Sequence, residues 1–193
     1  MKKSRLLIVG AGGHGRSVAE AVLISGDFDL VGFLDDGAFA RGGNVLGLPV
    51  LGPARTFTDY AALASHAVVA IGNNALRKTF CAQLQAAGFA LASVIHPRAI
   101  VSPRAQLGEG VAIMAGAIVG TEAVLGQGVI VNSGAVVDHH AQVHDFGHLG
   151  VNACMAGGTV VGALAWVQAG AAIGYGVQLA AGTVLKPGEA VWD

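Results

Sequence analysis

The sequence predicts two units in series: a parallel α/β sheet over residues 1–94, then a parallel β-helix of hexapeptide repeats over 95–193. Three observations predict this. First, every sixth residue from Ile95 to Leu185 is aliphatic or Met, sixteen positions in one unbroken phase (Ile95, Val101, Leu107, Ile113 and onward to Ile173, Leu179, Leu185). A period of six fits neither a helix (3.6) nor an alternating strand (2); it fits short strands that turn a corner once per hexad, about 18 residues per triangular coil. Second, residues 5–94 alternate buried-strand and amphipathic-helix patterns, which reads as a parallel sheet. Third, a glycine-rich loop stands between the first strand and the first helix.

In chain order, residues 6–9 (Leu-Leu-Ile-Val) form a buried strand, 10–15 a tight turn and 17–25 a helix. Residues 30–34 form a second strand that ends at Asp35-Asp36. A Gly-rich stretch over 37–52 holds a short strand-like segment at 45–51. Residues 57–65 predict a helix and 67–71 a third strand, ending at Gly72-Asn73-Asn74. An amphipathic helix over 75–87 places Leu76, Phe80 and Leu84 on one face. Residues 91–95 then lead through His96-Pro97 into the coils. There, small residues such as Ala105, Ala117 and Ala135 precede the apolar position by two, and Gly often follows it directly, as at Gly108, Gly120 and Gly150. After Leu185 only eight residues remain, and no further domain is expected in them.

Composition excludes several classes. Net charge is −1 and the pI about 6.6, so no nucleic-acid patch is indicated. Mean hydropathy is high at +0.62, yet Gly, His, Asn or Asp breaks every apolar stretch before the ~18 residues a membrane span needs. Between Ala105 and Leu185 the charged residues are Glu109, Glu122, Asp138 and Asp145, with no Lys or Arg. Faces that neutral call for cover by identical neighbours, and a homotrimer is expected. The basic start followed by four apolar residues is too short for a signal peptide. Cys81 and Cys154 have no motif spacing. A cytoplasmic protein is expected.

Two stretches carry chemistry. Gly10, Gly12, Gly13, His14 and Gly15 satisfy a G-x-G-x-x-G pattern, with Asp35 and Asp36 about 20 residues on. Such glycines let the backbone approach a phosphate at a helix N-terminus, and an acidic residue after the second strand can hold a ribose or base. A unit of this size is half of a dinucleotide fold, so one nucleotide diphosphate fits better than NAD. A structural glycine turn is the competing reading. The second stretch holds His139, His140, His144 and His148 within ten residues. Imidazole titrates near neutrality and suits a general base. A metal site is the rival, ranked lower because no Cys or carboxylate completes a ligand set; no metal is expected. His140 and His144 also read as polar corner residues.

These residues resemble the bacterial nucleotide-sugar N-acetyltransferases and sialic acid O-acetyltransferases of the left-handed β-helix superfamily, nearest to those acting on UDP-linked 4-amino-4,6-dideoxy sugars. The resemblance spans nearly the whole chain. It rests on residues 10–15 with His14, on Phe33-Leu34-Asp35-Asp36, on Ala70-Ile71-Gly72-Asn73-Asn74 with Arg77-Lys78, on His96-Pro97, and on the stretch from Val131-Asn132 through His139 to His148. It implies a left-handed coil after a Rossmann-like sheet, acetyl-CoA as co-substrate and a nucleotide-linked amino sugar as acceptor. The glycine loop, His14, Asp35, Asp36, Gly72, Asn73 and Asn74 would hold the nucleotide. His139 would be the general base, His148 a second active-site histidine, and Asn132 a polar neighbour of the reacting groups. Gly157, one full coil after His139, would donate its N–H near the thioester carbonyl.

The sequence departs from the family pattern at two places. A carboxylate normally follows the base; here His140 stands there, with Asp138 before the base as a possible substitute. The ending at 186–193 lacks the usual Gly-x-Pro-Ala segment beside coenzyme A. Three alternatives stay open: sugar O-acetylation, a catalytically idle nucleotide-binding scaffold, and an NAD enzyme using the glycine loop. Cys154 as a covalent nucleophile is disfavoured, since nothing near it activates a thiol.

Overall fold

The computed structural model describes residues 3–37 and 43–192; part of the Gly-rich connection at 37–52 lies outside them. The chain divides into two compact units, Met1–Val94 and Ile95–Asp193.

The first unit is a six-stranded sheet of order β3-β4-β2-β1-β5-β6. β1 (Ser4–Val9) lies at its centre, parallel to β2 (Phe28–Leu34) and β5 (His66–Val69). Leu6, Leu7, Ile8 and Val9 are fully buried, as expected of a central parallel strand covered on both faces. β2 pairs onward with β4 (Leu48–Gly52), and β5 with β6 (Ala90–Leu91), both parallel. The expected strand-like segment at 45–51 is instead an antiparallel hairpin of β3 (Asn44–Val45) and β4. Leu46 and Gly47 turn it, both at positive φ, the two-residue geometry that suits the twist of paired strands.

Helix α1 (Gly13–Ser25) starts four residues earlier than its apolar pattern suggests, and Gly26 ends it in the left-handed conformation. The segment expected as a helix at 57–65 is a 3₁₀ helix, Ala54–Tyr60, kinked at Thr56. Helix α2 (Asn74–Ala86) buries Phe80 and Leu84, while Leu76 stays exposed on the adjoining turn.

The second unit is the expected coil. Two-residue strands recur every six residues, from Val94–Ile95 to Ala190–Val191, and stack into three parallel sheets of six, six and five strands. Each strand pairs in register with its counterpart one coil later, as Val136↔Cys154 and Val137↔Met155. The second residue of each pair points inward, and Val191 extends the apolar series by one step. The Ala positions two residues earlier are likewise buried: Ala117, Ala123, Ala135, Ala141, Ala153 and Ala165 show no exposure. Ile95 remains 37% exposed; a terminal coil has a neighbouring layer on one side only.

From residue 110 onward each corner carries one residue in the left-handed region. From residue 110 to 188 these recur every six residues, and nine of the fourteen are Gly. The other five are Glu122, His140, Phe146, Asn152 and Leu164, with φ between 54° and 62°. A Cβ in that conformation costs about 1–2 kcal/mol.

Candidate active site

In the first unit the chain order reverses at β1: β2 lies on one side and β5 on the other. Ligands of open α/β sheets bind at such a switch point, outside the carboxyl ends of the strands. A cleft of about 240 Å³ lies there, lined by Gly10, Leu34, Asp35, Asp36, Ala54 and Ile71 among others. Two glycines of the loop are required by packing. A Cβ on Gly15 would strike the Gly10 carbonyl oxygen, and one on Gly10, at φ 108°, would lie 2.7 Å from the Ala70 carbonyl oxygen. Gly12 and Gly13 are different: a Cβ there would meet nothing within 4 Å. The protein leaves open space beside the first turn of α1, where unpaired N–H groups favour an anion.

The acidic pair divides its work. Asp35 accepts hydrogen bonds from the Ala11 and Gly37 N–H groups, both at 2.7 Å, and so braces the glycine loop. Asp36 accepts from the Ala54 N–H at 3.0 Å, at the start of the 3₁₀ helix. The Gly72-Asn73-Asn74 turn is also internally organised. Asn73 caps α2 by accepting from the Leu76 N–H (2.9 Å). Asn74 accepts from Arg77, whose buried guanidinium also donates to the Ile71 and Gly72 carbonyls. In the sequence Arg77 stands only as part of a motif; in the structure it orders the loop that borders the cleft.

Arg77 also acts on His14. Burial, and secondarily the Arg77 charge, push the His14 pKa down to about 4. His14 is therefore neutral at pH 7, and its buried Nε2 has no hydrogen-bond partner among the described residues. Burial lowers Arg77 itself to about 10 and raises the Cys81 thiol to about 11. A thiol so raised is inert near neutrality.

In the second unit His139 and His140 occupy the corner after strand Val136–Val137. The His139 ring lies against Gly157 of the adjacent coil, where a Cβ would clash with ring atom Cε1 and sit 2.6 Å from Nε2. Gly157 is buried, and its N–H meets no acceptor among the described residues. His139 Nδ1 lies 2.9 Å from His140 Nδ1, the two rings nearly perpendicular. On its far side His140 Nε2 meets Glu122 Oε2 at 3.0 Å. Asp138 does not take the place of the missing carboxylate. Its Oδ1 accepts from the His139 backbone N–H, and its Oδ2 stands 3.9 Å from Nε2, beyond hydrogen-bond reach.

His148 sits apart from this cluster, on the strand His148–Leu149 of another face, buried and stacked on Trp166 at 5.6 Å. Asn132 adjoins that strand, donating its N–H to the Leu149 carbonyl, while its side chain accepts from Ser133. The chain thus groups His139, His140 and Gly157, and separately His148 and Asn132. Sequence reasoning missed Glu122 and Trp166, although each lies one coil from a histidine that it singles out. His144 is exposed at the next corner.

A triangular hexapeptide coil following an α/β unit with a glycine loop defines the left-handed β-helix acetyltransferase class. Residues 5–84 match the family described as the PglD N-terminal domain. The structure is similar to a mutant form of perosamine N-acetyltransferase from Caulobacter crescentus, solved with CoA and GDP-perosamine. The two are 36% identical with a TM-score of 0.92, over 97% of this chain and 88% of that one. It is similar also to the acetyltransferase domain of PglB from Neisseria gonorrhoeae FA1090 in complex with acetyl coenzyme A, at 34% identity and a TM-score of 0.78, over 94% and 95% of the two chains. UDP-N-acetylbacillosamine N-acetyltransferase of Bacillus subtilis (strain 168) is 36% identical over 111 residues, 56% of this chain and half of that protein's length. The chain belongs to the bacterial nucleotide-sugar N-acetyltransferases.

Proposed function

We propose that this protein transfers the acetyl group of acetyl-CoA to the amine of a nucleotide-linked 4-amino-4,6-dideoxy sugar. The amine lone pair attacks the thioester carbonyl carbon while His139 Nε2 takes the amine proton. The Gly157 N–H donates to the oxyanion that forms. The C–S bond then breaks, and the His139 imidazolium returns its proton to the departing thiolate. The observation that carries this reading is the His139 ring lying against a buried backbone N–H that has no acceptor among the described residues. A base and an oxyanion donor on facing corners of adjacent coils are what acyl transfer requires.

The cleft at the carboxyl end of β1 takes the nucleotide diphosphate. Its phosphates lie along Gly12, Gly13 and the first turn of α1, with Asp36 and neutral His14 toward the sugar or base. His148, Asn132 and Trp166 line the acetyl-CoA side of a site completed between copies of a homotrimer. The neutral outer row Ile100, Ile118, Val136, Cys154, Ala172 and Ala190 supports that assembly, with Ile100 66% exposed. Two free cysteines, one of them exposed, fit a cytoplasmic setting. Among the described residues no helix is long and apolar enough to cross a membrane.

The test is thiol release from acetyl-CoA with GDP- and UDP-linked 4-amino-4,6-dideoxy sugars, with the product identified by mass spectrometry. His139→Ala should lower kcat by ~10²–10⁴ and leave nucleotide affinity unchanged. A variant within about threefold of wild type would remove the general base from this mechanism.

A further inference from the structure

Resting on His139 as the base, we propose that Glu122 is a positioning residue that sets the tautomer of His139 through His140. The three groups form a continuous line: Glu122 Oε2 to His140 Nε2 at 3.0 Å, then His140 Nδ1 to His139 Nδ1 at 2.9 Å. An ionised carboxylate only accepts. Facing Glu122, neutral His140 therefore carries its proton on Nε2, and its Nδ1 is a lone pair. That lone pair requires His139 to carry its own proton on Nδ1. His139 Nε2, beside Gly157, is then left unprotonated and able to take a proton from an amine. Each assignment follows from the one before, and the line ends at the only atom a base could use.

Backbone geometry supports the same reading. Glu122 and His140 occupy equivalent left-handed corners one coil apart, and the next two corners of their column are Gly158 and Gly176. Nine of the fourteen corners avoid the Cβ penalty with Gly. Keeping two long polar side chains at strained corners, stacked and paired, is the pattern of strain held at a functional site. Among the described residues the titratable groups around the pair are Glu122 in one adjacent coil and Asp138 beside His139. The other adjacent coil presents Gly157 and Gly158. As the reaction proceeds the His139 imidazolium still donates its Nδ1–H to the His140 Nδ1 lone pair.

Glu122→Gln tests this, because an amide can donate as well as accept. A Gln donating to His140 Nε2 reverses every proton in the line and blocks His139 Nε2. The variant should lose at least ~10-fold in kcat with both KM values within ~2-fold of wild type. Glu122→Gly, which relieves the corner strain, should melt no lower than wild type and still lose kcat. In a His140→Glu background, where a carboxylate meets His139 directly, adding Glu122→Gln should cost less than ~2-fold. Wild-type kcat in Glu122→Gly, which removes the acceptor altogether, or an equal loss from Glu122→Gln in both backgrounds, would overturn the proposal. An active His139→Ala would instead remove the base reading on which it rests.

Discussion

At the scale of single residues, the site depends on which side chain faces which across a coil step. Gly157 shows it most sharply, since a methyl group there would occupy the place of the His139 ring. Gly157→Ala should therefore lower kcat by ~10²-fold, because displacing a base by about an ångström costs that much. The chain should keep its melting temperature, since His139 is half exposed and its ring can swing aside; an unchanged kcat would mean that the base works from another position. His139 and Gly157 enter the sequence reading through the family resemblance, and the step of one coil between them sets them side by side. The same step joins Glu122 to His140, yet Glu122 reads in the sequence as one of four scattered charges on a neutral coil. Adjacency in the chain offers His140 in place of the family carboxylate, with Asp138 as a possible substitute. Its carboxylate is occupied by a backbone N–H, a local bond that no periodicity announces.

At the scale of elements, the hexad makes the coil legible, because a core-facing position admits only apolar residues and any slip in phase would show. A second series is harder to read: glycine three residues after each apolar position, interrupted at five corners. It reflects backbone dihedrals rather than burial, so hydrophobicity does not reveal it. The α/β unit is legible in its alternation of strands and helices and less so in its boundaries. The 3₁₀ helix at Ala54–Tyr60 and the hairpin at Asn44–Gly52 are short, and turn chemistry rather than amphipathic period determines them. Burial of His14 gives this unit a measurable signature. Its pKa is about 4 when folded against an ordinary 6.5. As pH falls below about 6.5 the unfolded chain takes a proton that the folded one refuses, so folding stability declines until about pH 4. The loss is on the order of 3 kcal/mol. Urea unfolding of wild type and His14→Gln at about pH 7.5 and about pH 4.5 should show a smaller acid loss in the variant. Equal losses would place the destabilisation on other groups.

At the scale of the whole molecule, two consequences of low charge can be measured. The exposed apolar row headed by Ile100 should be covered in solution, so light scattering should give the mass of three chains at micromolar concentration; a single-chain mass would refute the trimer. With no Lys or Arg between Ala105 and Leu185, the coil offers the phosphates of coenzyme A no ion pair to screen. The KM for acetyl-CoA should then change by less than ~2-fold between about 0.05 and about 0.5 M KCl. A steep dependence would assign the phosphates to cations at the coil ends, such as Arg98, Arg104 or Lys186. The pitch of the coil also gives the molecule something like a reading frame. Losing one residue between Glu122 and His140 leaves every letter of the site in place and every word garbled, since all later positions slide off their columns. Only the gain or loss of a whole coil, outside the span from Glu122 to Gly157, keeps the text in phase. Diversification of such a scaffold therefore proceeds by substitution at corners or by whole coils, with small insertions confined to loops that leave the count between coils unchanged.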